Sequence, residues 1–408
     1  MEQIKGRYCK DCVIYSDTLE SDARSIIYGF VNHRMFEGSK IRIMPDVHAG
    51  KDIVVGFTAP FRDCVNPDHI GGDIGCTVST TITSTPVNAD NFAELESQIR
   101  QQVKFGMTQQ EHVVFKSSEF YSFLKKRLNE ARIAWPDYVE LADVTERGID
   151  KLLARVEMNA KTFFCQIGTV GSGNHFVEIG TTPDGNYAIT VHCGSRNFGQ
   201  KVWKYWHKVA HNPTFNHPSV GYLAGDLMRG YITDMVIAQA YAEFNHIIIH
   251  RLIIDIFRRI CNGVDVKEQI VTTHNYIDFK SRMMRKGAVA SIEGEKLVIP
   301  FNMRDGLIIC SGKSNPEWNC SAPHGAGRLV SRSMAKELID IEEYRASMEG
   351  IYSTSVQTDT IDESPMAYKD PKEILEAIKD TVDVLYFVKP VINMKSRSDE
   401  LATDEEQD

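Results

Sequence analysis

One histidine in a glycine-rich segment has neighbours that could support covalent chemistry. His324 lies in the run Ser-Ala-Pro-His-Gly-Ala-Gly-Arg at residues 321–328. An imidazole can act as a nucleophile, and the glycines beside it leave room for a phosphate to approach the backbone. Arg328 can bind that phosphate through two parallel N–H groups. Because glycine-rich loops are common, this segment alone leaves its function open.

A second set of residues has side chains that bind metal ions. Asp73 and Cys76 lie three residues apart around a glycine, so a tight turn can direct both side chains to one point. Three histidines, His175, His192 and His274, each end or follow a strand-like run. These five ligands are enough for two ions if the sulfur bridges them. A single such histidine would more often be structural, and cysteine with histidine would by itself favour zinc.

Two further groups of potential ligands carry a weaker signal. Cys9 and Cys12 form one C-x-x-C pair with no second pair at zinc-finger spacing, so we interpret them as structural. His207, His211 and His217 have no acidic or thiol partner nearby in the sequence, and we interpret them as surface histidines.

The elements that must position these residues alternate between strands and helices. Strand patterns occur at 41–44, 54–58, 162–165, 187–192, 269–273 and 296–299, and helical patterns at 91–158, 226–259, 333–343 and 371–385. The helical region 91–158 has a break at 135–136. In the helix at 226–259, Asp234 and Asn245 are expected to be buried polar groups with hydrogen-bond partners.

The candidate residues are scattered between these elements, which favours one catalytic domain over separable modules. We place this domain at residues 1–395 and expect residues 396–408 to be an acidic, disordered tail.

Composition narrows the class of protein. The 408 residues carry a net charge of −9, which argues against a strongly basic, sequence-blind nucleic-acid binder but not against a local basic groove. Nine cysteines at irregular spacing favour a reducing cytoplasm over a disulfide framework. The sequence shows neither a secretory signal nor an apolar run long enough for a membrane span.

Taken together, five motifs resemble the RtcB family of GTP- and manganese-dependent RNA ligases. They are D-I-G-C at 73–76, G-N-H-F at 173–176, H-C-G-S-R at 192–196, T-H-N at 273–275 and H-G-A-G-R at 324–328. The similarity runs from M-P-D-V-H at 44–48 to Lys395. It implies an α+β fold with central mixed β-sheets, flanking helices and a deep metal-binding cleft.

The resemblance also implies a role for each candidate residue. His324 would be the guanylylated nucleophile, and Asp46 and His48 would lie close to the metals and assist the joining step. Two manganese ions per subunit would be bound by Asp73, Cys76, His175, His192 and His274, with Cys76 as the bridge. GTP would be bound by Asn174, Phe176, Glu178, Asn302, Gly325, Ala326, Gly327, Tyr368 and Lys395. RNA phosphates would be bound by Arg196, Lys286, Arg328 and Arg332.

The implied reaction joins an RNA 3′-phosphate or 2′,3′-cyclic phosphate end to a 5′-hydroxyl end, in RNA repair or tRNA splicing. It would proceed through a covalent histidine–GMP and an RNA 3′-diphosphate-guanosine. The partners would be GTP and RNA with broken ends, and an accessory activator is left open. One carboxylate can accept both N–H donors of a guanine edge, which gives Glu178 a reason to select GTP over ATP.

Three positions depart from the pattern of many members. Phe301 occupies a glycine position, Thr77 replaces a second glycine after the D-I-G-C cysteine, and residues 320–323 read Cys-Ser-Ala-Pro. These changes indicate a divergent subgroup and bear on nucleotide and RNA preference.

Three alternatives are open from the sequence. A metal-dependent phosphodiesterase would need the five ligands but not His324, Glu178 or Lys395. A 3′-phosphate guanylyl-capping enzyme would keep His324 without a 5′-hydroxyl acceptor site. A catalytically silent RNA-end binder would need none of these chemical groups.

Overall fold

Short strands and helices alternate along the chain in the computed structural model, which describes residues 1–50, 52–139, 144–212, 221–261 and 263–400. The strands are β1 (Glu2–Ile4), β2 (Asp11–Ile14), β3 (Lys40–His48), β4 (Val55–Pro60), β5 (Cys64–Val65), β6 (Thr77–Thr83), β7 (Phe176–Thr181), β8 (Tyr187–Cys193), β9 (Leu223–Ala224), β10 (Val266–Thr273), β11 (Asn275–Asp278), β12 (Met283–Lys286), β13 (Ala288–Ala290), β14 (Lys296–Asn302), β15 (Gly306–Gly312), β16 (Ser321–Pro323) and β17 (Val382–Met394). The helices are α1 (Ser21–Val31), α2 (Phe92–Gln102), α3 (Ser117–Ala134), α4 (Glu146–Arg155), α5 (Ala160–Cys165), α6 (Arg196–Ala210), α7 (Gly225–Ile260), α8 (Arg332–Leu338), α9 (Ile341–Ser347) and α10 (Pro371–Ala377).

Two large sheets form the centre of the fold. One has the strand order β1-β2-β3-β4-β12-β11, and the other has the order β10-β6-β8-β7-β17-β15-β14. The β2–β3 pair is parallel while the neighbouring pairs are antiparallel, so the first sheet is mixed. Small ribbons form from β13 with β16 and from β5 with β9. This architecture confirms the predicted α+β class with central sheets and flanking helices.

The long helix α7 confirms the prediction made for residues 226–259. Its 36 residues span about 54 Å, and it packs against α2, α3, α6 and the seven-stranded sheet. Asp234 accepts hydrogen bonds from Arg155 and from Trp206 Nε1 (2.7 Å). The Asn245 Oδ1 atom accepts from the backbone N–H of Gly168 at 2.7 Å. Both buried polar side chains therefore have partners, as expected.

The prediction of a strand at 162–165 is wrong, because this segment belongs to helix α5. The side chain of Asn159 accepts hydrogen bonds from the backbone N–H groups of Lys161 and Thr162 and so caps the helix. Phe163 and Cys165 are buried on its inner face. Helix capping and burial outweigh the β-propensity of a short run containing threonine and two phenylalanines.

Two predicted helices near the C-terminus have different limits. The segment 333–343 is divided between α8 and α9, because Asp340 accepts from the backbone N–H groups of Glu342 and Glu343 and starts a new helix. The helix expected at 371–385 ends at Ala377, and the chain enters β17 at Val382. Pairing of β17 with β15 and β7 gives this segment its extended conformation.

The register of the seven-stranded sheet gathers the predicted metal ligands at one edge. Cys76 directly precedes β6, His274 directly follows β10, His175 directly precedes β7, and His192 is the second-last residue of β8. The first residue of β6, Thr77, pairs with the last residues of both β10 and β8. Ligands that are up to 201 residues apart therefore converge because neighbouring antiparallel strands begin and end together.

Two further strands bring the remaining candidates to the same region. Lys395 directly follows β17, in which Asn393 pairs with Glu178 of β7. His324 directly follows β16, which is held by β13.

The last described residue, Glu400, is tied to helix α2. Glu400 accepts hydrogen bonds from Arg100, and residues 401–408 of the expected tail lie outside the described residues. Within the described ranges, no helix combines the length and apolar character needed to cross a bilayer.

Candidate active site

The five predicted metal ligands form one cluster. Cys76 Sγ lies 3.2 Å from His192 Nε2 and 3.5 Å from His175 Nε2. His192 Nε2 lies 3.3 Å from His274 Nε2, and His175 Nε2 lies 3.0 Å from Asp73 Oδ2. The ligands divide into two groups, Asp73–Cys76–His175 and Cys76–His192–His274, which share the cysteine. This donor set fits two adjacent ions with a bridging sulfur.

The backbone orients two of the imidazoles towards this cluster. The carbonyl oxygen of Val170 lies 3.0 Å from His175 Nδ1, and that of Asn174 lies 3.1 Å from His192 Nδ1. A hydrogen bond at Nδ1 leaves Nε2 as the atom that faces the cluster, which is the arrangement found around metal-binding histidines.

A glycine makes room for the carboxylate. A Cβ atom at Gly194 would lie 2.0 Å from Asp73 Oδ1, closer than any real contact. The H-C-G-S-R motif therefore needs glycine at this position because Asp73 lies against its backbone.

The ionisation of the cluster suits cation binding. Burial, the largest influence, lowers the pKa values of His192 and His274 well below their usual range, so both imidazoles are neutral. Burial would raise the pKa of Asp73, but His175 and other neighbours lower it to about 2. Burial and the Asp73 charge raise the pKa of the Cys76 thiol well above its usual value, so metal binding must displace its proton.

The candidate nucleophile lies next to this cluster and is held by an aspartate. The rings of His324 and His274 are 4.8 Å apart between centroids. Asp46 Oδ2 lies 2.6 Å from His324 Nδ1 and accepts from the His324 backbone N–H at 3.1 Å. Because the carboxylate occupies the Nδ1 side of the ring, Nε2 is the nitrogen left for attack. His48, whose Nδ1 lies 3.0 Å from the Asp46 carbonyl oxygen, is close by.

The loop after His324 fits closely against β3. Gly327 has φ of +75°, and a Cβ atom there would lie 2.4 Å from the Asp46 carbonyl oxygen. Lys369 Nζ donates to the carbonyl oxygens of Pro45 (2.9 Å) and Val47 (3.3 Å) on either side of Asp46. These contacts hold Asp46 in the position from which it reaches His324.

A cavity of about 470 Å³ opens beside His324. All nine residues predicted to bind GTP line it: Asn174, Phe176, Glu178, Asn302, Gly325, Ala326, Gly327, Tyr368 and Lys395. His48, His192, Arg328 and Arg332 line it as well. The cavity therefore brings the predicted nucleotide contacts together with the candidate nucleophile and one predicted metal ligand.

Two residues that line the cavity, Glu178 and Asn393, have buried acceptor atoms. Glu178 is 2% exposed, and its Oε2 accepts from the Asn393 amide at 2.8 Å. Glu178 Oε1 and Asn393 Oδ1 have no hydrogen-bond partner among the described residues. Burial raises the pKa of Glu178 to about 8, against the opposing effects of Asn393 and Lys395. Acceptors left without partners in a buried site are suited to a ligand that brings N–H donors.

Three of the predicted cations surround a buried carboxylate, Glu363. Its oxygens accept from Lys395 Nζ at 2.9 Å, from Arg332 at 2.5 Å and from Arg328 at 3.3 Å. Tyr368 donates its hydroxyl to the same carboxylate at 2.5 Å. Burial would raise the pKa of Glu363, but the cations lower it to about 2, so it remains charged. Glu363 thus positions several residues of the cavity wall at once.

The other two predicted phosphate-binding residues lie outside this cavity's lining. Arg196 donates to Thr169 Oγ1 (2.9 Å) and to the Gly106 carbonyl oxygen (2.8 Å). Lys286 Nζ donates to the carbonyl oxygen of Asp68 at 2.8 Å. The structure therefore does not group the four predicted phosphate contacts at a single place.

Thr77 and Phe301, which depart from the motif pattern, and the neighbouring Asn302 are accommodated by local contacts. Thr77 Oγ1 donates to the Gly75 carbonyl oxygen at 2.9 Å and lies 3.0 Å from Thr273 Oγ1, which ties the turn that carries Asp73 and Cys76 to β10. Phe301 is buried and contributes to the cavity lining. Asn302 accepts from the backbone N–H groups of Arg304 and Asp305, so it also shapes the turn between β14 and β15.

Three residues of the site escaped the sequence interpretation. Asn393 lies two residues before Lys395, and period-two spacing on a strand could have placed it on the same face. Lys369 directly follows the predicted contact Tyr368, and Glu363 lies five residues before it. An isolated lysine or glutamate in a sequence is most often an exposed charge, so neither residue stood out.

The interpretation of His207 and His211 as surface histidines without an acidic partner is wrong. Both are half-buried, and His207 Nδ1 lies 2.9 Å from the buried carboxylate of Asp68. Asp68 is 139 residues away in the sequence, so local spacing could not reveal it. His217 lies outside the described residues. Cys9 and Cys12 are buried free thiols, in keeping with a structural role.

Comparison with known proteins identifies the family. The model of the family described as "tRNA-splicing ligase RtcB" matches residues 31–396. The chain belongs to the RtcB family. It is 27% identical over 404 residues to the RNA-splicing ligase RtcB of Escherichia coli strain K12, covering 92% of this chain and 95% of that protein. It is also 27% identical to the tRNA-splicing ligase RtcB of Pyrobaculum aerophilum, covering 82% of this chain and 83% of that protein. Because the proteins of this family are described as RNA-splicing or tRNA-splicing ligases, the chain belongs to a family of RNA ligases.

Proposed function

We propose that this RtcB family protein joins an RNA 3′-phosphate or 2′,3′-cyclic phosphate end to a 5′-hydroxyl end, with GTP as cosubstrate. The observation that carries the proposal is the position of His324. Its Nδ1 is 2.6 Å from Asp46, its ring contacts a predicted metal ligand, and it lines the same cavity as Glu178. The candidate nucleophile, the predicted metal ligands and the candidate base-binding residue Glu178 are thus close enough to act together.

In the first step, His324 Nε2 attacks the α-phosphate of GTP. A P–N bond forms, the bond from the α-phosphorus to the bridging oxygen breaks, and pyrophosphate leaves. Asp46 holds the ring in the correct tautomer and stabilises the positive charge that develops on it, as in other aspartate–histidine pairs.

In the next steps, the nucleotide activates the RNA end. An oxygen of the RNA 3′-phosphate attacks the phosphorus of the histidine–GMP, so the P–N bond breaks and a diphosphate forms. The 5′-hydroxyl then attacks the RNA phosphorus, and GMP leaves as the phosphodiester forms. A cyclic phosphate must first be opened by water.

Two manganese ions are proposed to bind at Asp73, Cys76, His175, His192 and His274. Bound there, they would neutralise phosphate charge and help to align attacking and leaving oxygens. The donor set also fits zinc, so the choice of manganese rests on family membership.

Glu178 is proposed to select guanine. Its Oε1 atom lacks a partner among the described residues, and Glu178 lines the same cavity as His324. A carboxylate there can accept from both N–H donors on the guanine edge, whereas adenine does not offer this pair.

The test is a ligation assay with three RNA substrates, GTP and Mn²⁺. Wild type should join a 3′-phosphate strand to a 5′-hydroxyl strand, but not to a 5′-phosphate strand. His324→Ala should abolish joining. Persistent phosphoester cleavage in His324→Ala, with no joining by wild type, would favour the phosphodiesterase. Conversion of the 3′-phosphate to a guanosine cap without joining would favour the capping enzyme.

A further inference from the structure

A second group of metal-binding side chains lies on helix α6, outside the cavity. Near the C-terminal end of α6, three side chains lie on one face of the helix because they are spaced four residues apart: Trp203, His207 and the C-cap residue His211. This face lies against the 3₁₀ turn Pro67–His69, which carries Asp68. The carboxylate of Asp68 is only 1% exposed and faces both histidines.

The three ligand atoms are already close together. Asp68 Oδ1 and Oδ2 each lie 2.9 Å from His207 Nδ1, and Asp68 Oδ2 lies 4.0 Å from His211 Nε2. The ligand atoms of all three residues lie within 4.8 Å of one another. A tetrahedral ion with bonds of about 2.1 Å separates its ligand atoms by roughly 3.4 Å. Small side-chain movements would therefore suffice to bind one ion.

Hydrogen bonds orient these side chains as they do at the paired metal centre. The His207 carbonyl oxygen lies 2.9 Å from His211 Nδ1, so His211 Nε2 is the nitrogen directed at Asp68. Trp203 Nε1 donates to Asp68 Oδ1 at 2.8 Å and holds the carboxylate. In the main cluster, the carbonyl oxygens of Val170 and Asn174 orient His175 and His192 in the way that the His207 carbonyl orients His211.

A simple ion pair accounts for only part of this arrangement. His207 and Asp68 alone could form a charge-assisted hydrogen bond. At 4.0 Å, however, His211 Nε2 is too far from Asp68 for a hydrogen bond, although its ring lies 4.2 Å from that of His207 between centroids. Two imidazoles directed at one carboxylate are explained by a cation between them.

We propose that Asp68, His207 and His211 form a third metal site, separate from the paired centre, for a borderline divalent ion such as Zn²⁺. The two imidazoles and one carboxylate supply three ligands, and water fills the fourth position. The histidine side chains are 27% and 30% exposed, so an ion and its water can reach the site from solvent. This inference does not depend on the proposed ligase activity.

The site would connect two segments that lead directly to the paired centre. Asp68 lies five residues before Asp73, and α6 begins at Arg196, four residues after His192. His207 is eleven residues further along α6, about 16 Å along the helix axis. A bound ion would therefore hold the turn and the helix that flank the main cluster, without entering its cavity.

The test counts bound Co²⁺ in the full-length chain after removal of metals with a chelator. His207→Gln and His211→Gln should each bind one ion fewer than wild type. The sulfur-to-cobalt absorption that arises from Cys76 should be unchanged in both variants. Lys208→Gln is the matched control, because this exposed residue lies between the two histidines on the same helix, and it should bind as wild type does.

Thermal unfolding supplies a second readout. Zn²⁺ should raise the Tm of wild type and of Lys208→Gln more than that of His211→Gln. Circular dichroism should show that the metal-free variants are folded. Equal Co²⁺ stoichiometry and equal Zn²⁺ stabilisation in wild type and His211→Gln would overturn the proposal and leave an ion pair.

Discussion

The Asp46–His324 pair is the smallest unit on which the proposed chemistry depends. Asp46 is fully buried and contacts both the ring and the backbone N–H of His324. It therefore sets both the orientation of the imidazole and the nitrogen that is free to react. The M-P-D-V-H motif predicted a role for Asp46 near the predicted metals, whereas its contact with His324 became visible only in the structure.

Replacing Asp46 by asparagine should slow the first chemical step. Asp46→Asn keeps the shape of the side chain but removes the charge that stabilises the imidazolium, and the amide can favour the wrong tautomer. We expect the rate of histidine–GMP formation to fall by about 10²- to 10⁴-fold. Single-turnover labelling measures this rate, and GTP affinity, measured separately, should change little. A wild-type rate in Asp46→Asn would show that the carboxylate does not position the nucleophile.

Glu178 should make GTP binding depend on pH. Burial raises its pKa to about 8 in the free protein, and the charged form is the one that accepts two guanine N–H donors. As the pH falls through this value the carboxylate becomes protonated, so GTP affinity should decrease by up to about tenfold per pH unit.

Isothermal titration calorimetry with GTP, repeated from about pH 6.5 to about pH 9, measures how the affinity depends on pH. Glu178→Gln is the matched variant: it should bind GTP more weakly and lose the pH dependence. An unchanged pH profile in Glu178→Gln would assign the titration to another group.

At the scale of elements, strand register assembles the site. The residue types at Cys76, His192 and His274 predicted ligands, but only the pairing of β6 with β8 and β10 brings their ends together. Local patterns located β8, β10, β14 and α7, because short runs with β-branched residues in the strands and helical spacing of apolar residues in α7 are signals within one element. They failed at α5, where the Asn159 side chain caps the helix and the burial of Phe163 and Cys165 favours the helical conformation.

The loop after His324 offers a test of positioning by the backbone. Gly327→Ala combines a positive φ with a Cβ atom 2.4 Å from the Asp46 carbonyl oxygen. We expect it to lower the free energy of unfolding by more than the ~1–3 kcal/mol of backbone strain alone, and to impair histidine–GMP formation.

Gly350→Ala is the matched control for this prediction. Gly350 also has a positive φ (+86°), but a Cβ atom there would have nothing within 4 Å. It should show only the strain cost and retain wild-type labelling. Equal unfolding free energies and equal labelling in the two variants would mean that the close approach to Asp46 is not required.

At the scale of the whole molecule, the two groups of predicted metal ligands share one residue, Cys76. Because Cys76 belongs to both groups, Cys76→Ala should lose both bound Mn²⁺ ions. His175→Ala and His274→Ala should each lose one, since each belongs to one group only. Mn²⁺ counting by equilibrium dialysis and metal-dependent Tm shifts check this pattern. Loss of a single ion in Cys76→Ala would exclude the bridging arrangement.

Long-range contacts explain what the sequence could not predict. The similarity of its motifs predicted the α+β class correctly. The five residues that it named as ligands lie together, and the nine residues that it named as GTP contacts all line the cavity beside His324. The roles of Glu363 and Asp68 were missed because their partners, Lys395 and His207, lie 32 and 139 residues away in the chain. A carboxylate alone in a sequence gives no sign that three cations will surround it.

Transfer of label from GTP to the protein tests the central claim most directly. With Mn²⁺ and GTP labelled at the α-phosphate, wild type should carry label on a denaturing gel, and peptide mapping should locate it on His324. Label at the γ-phosphate should not be transferred, and His324→Ala should remain unlabelled. Equal labelling of His324→Ala, or no labelling of metal-loaded wild type, would contradict the proposed mechanism.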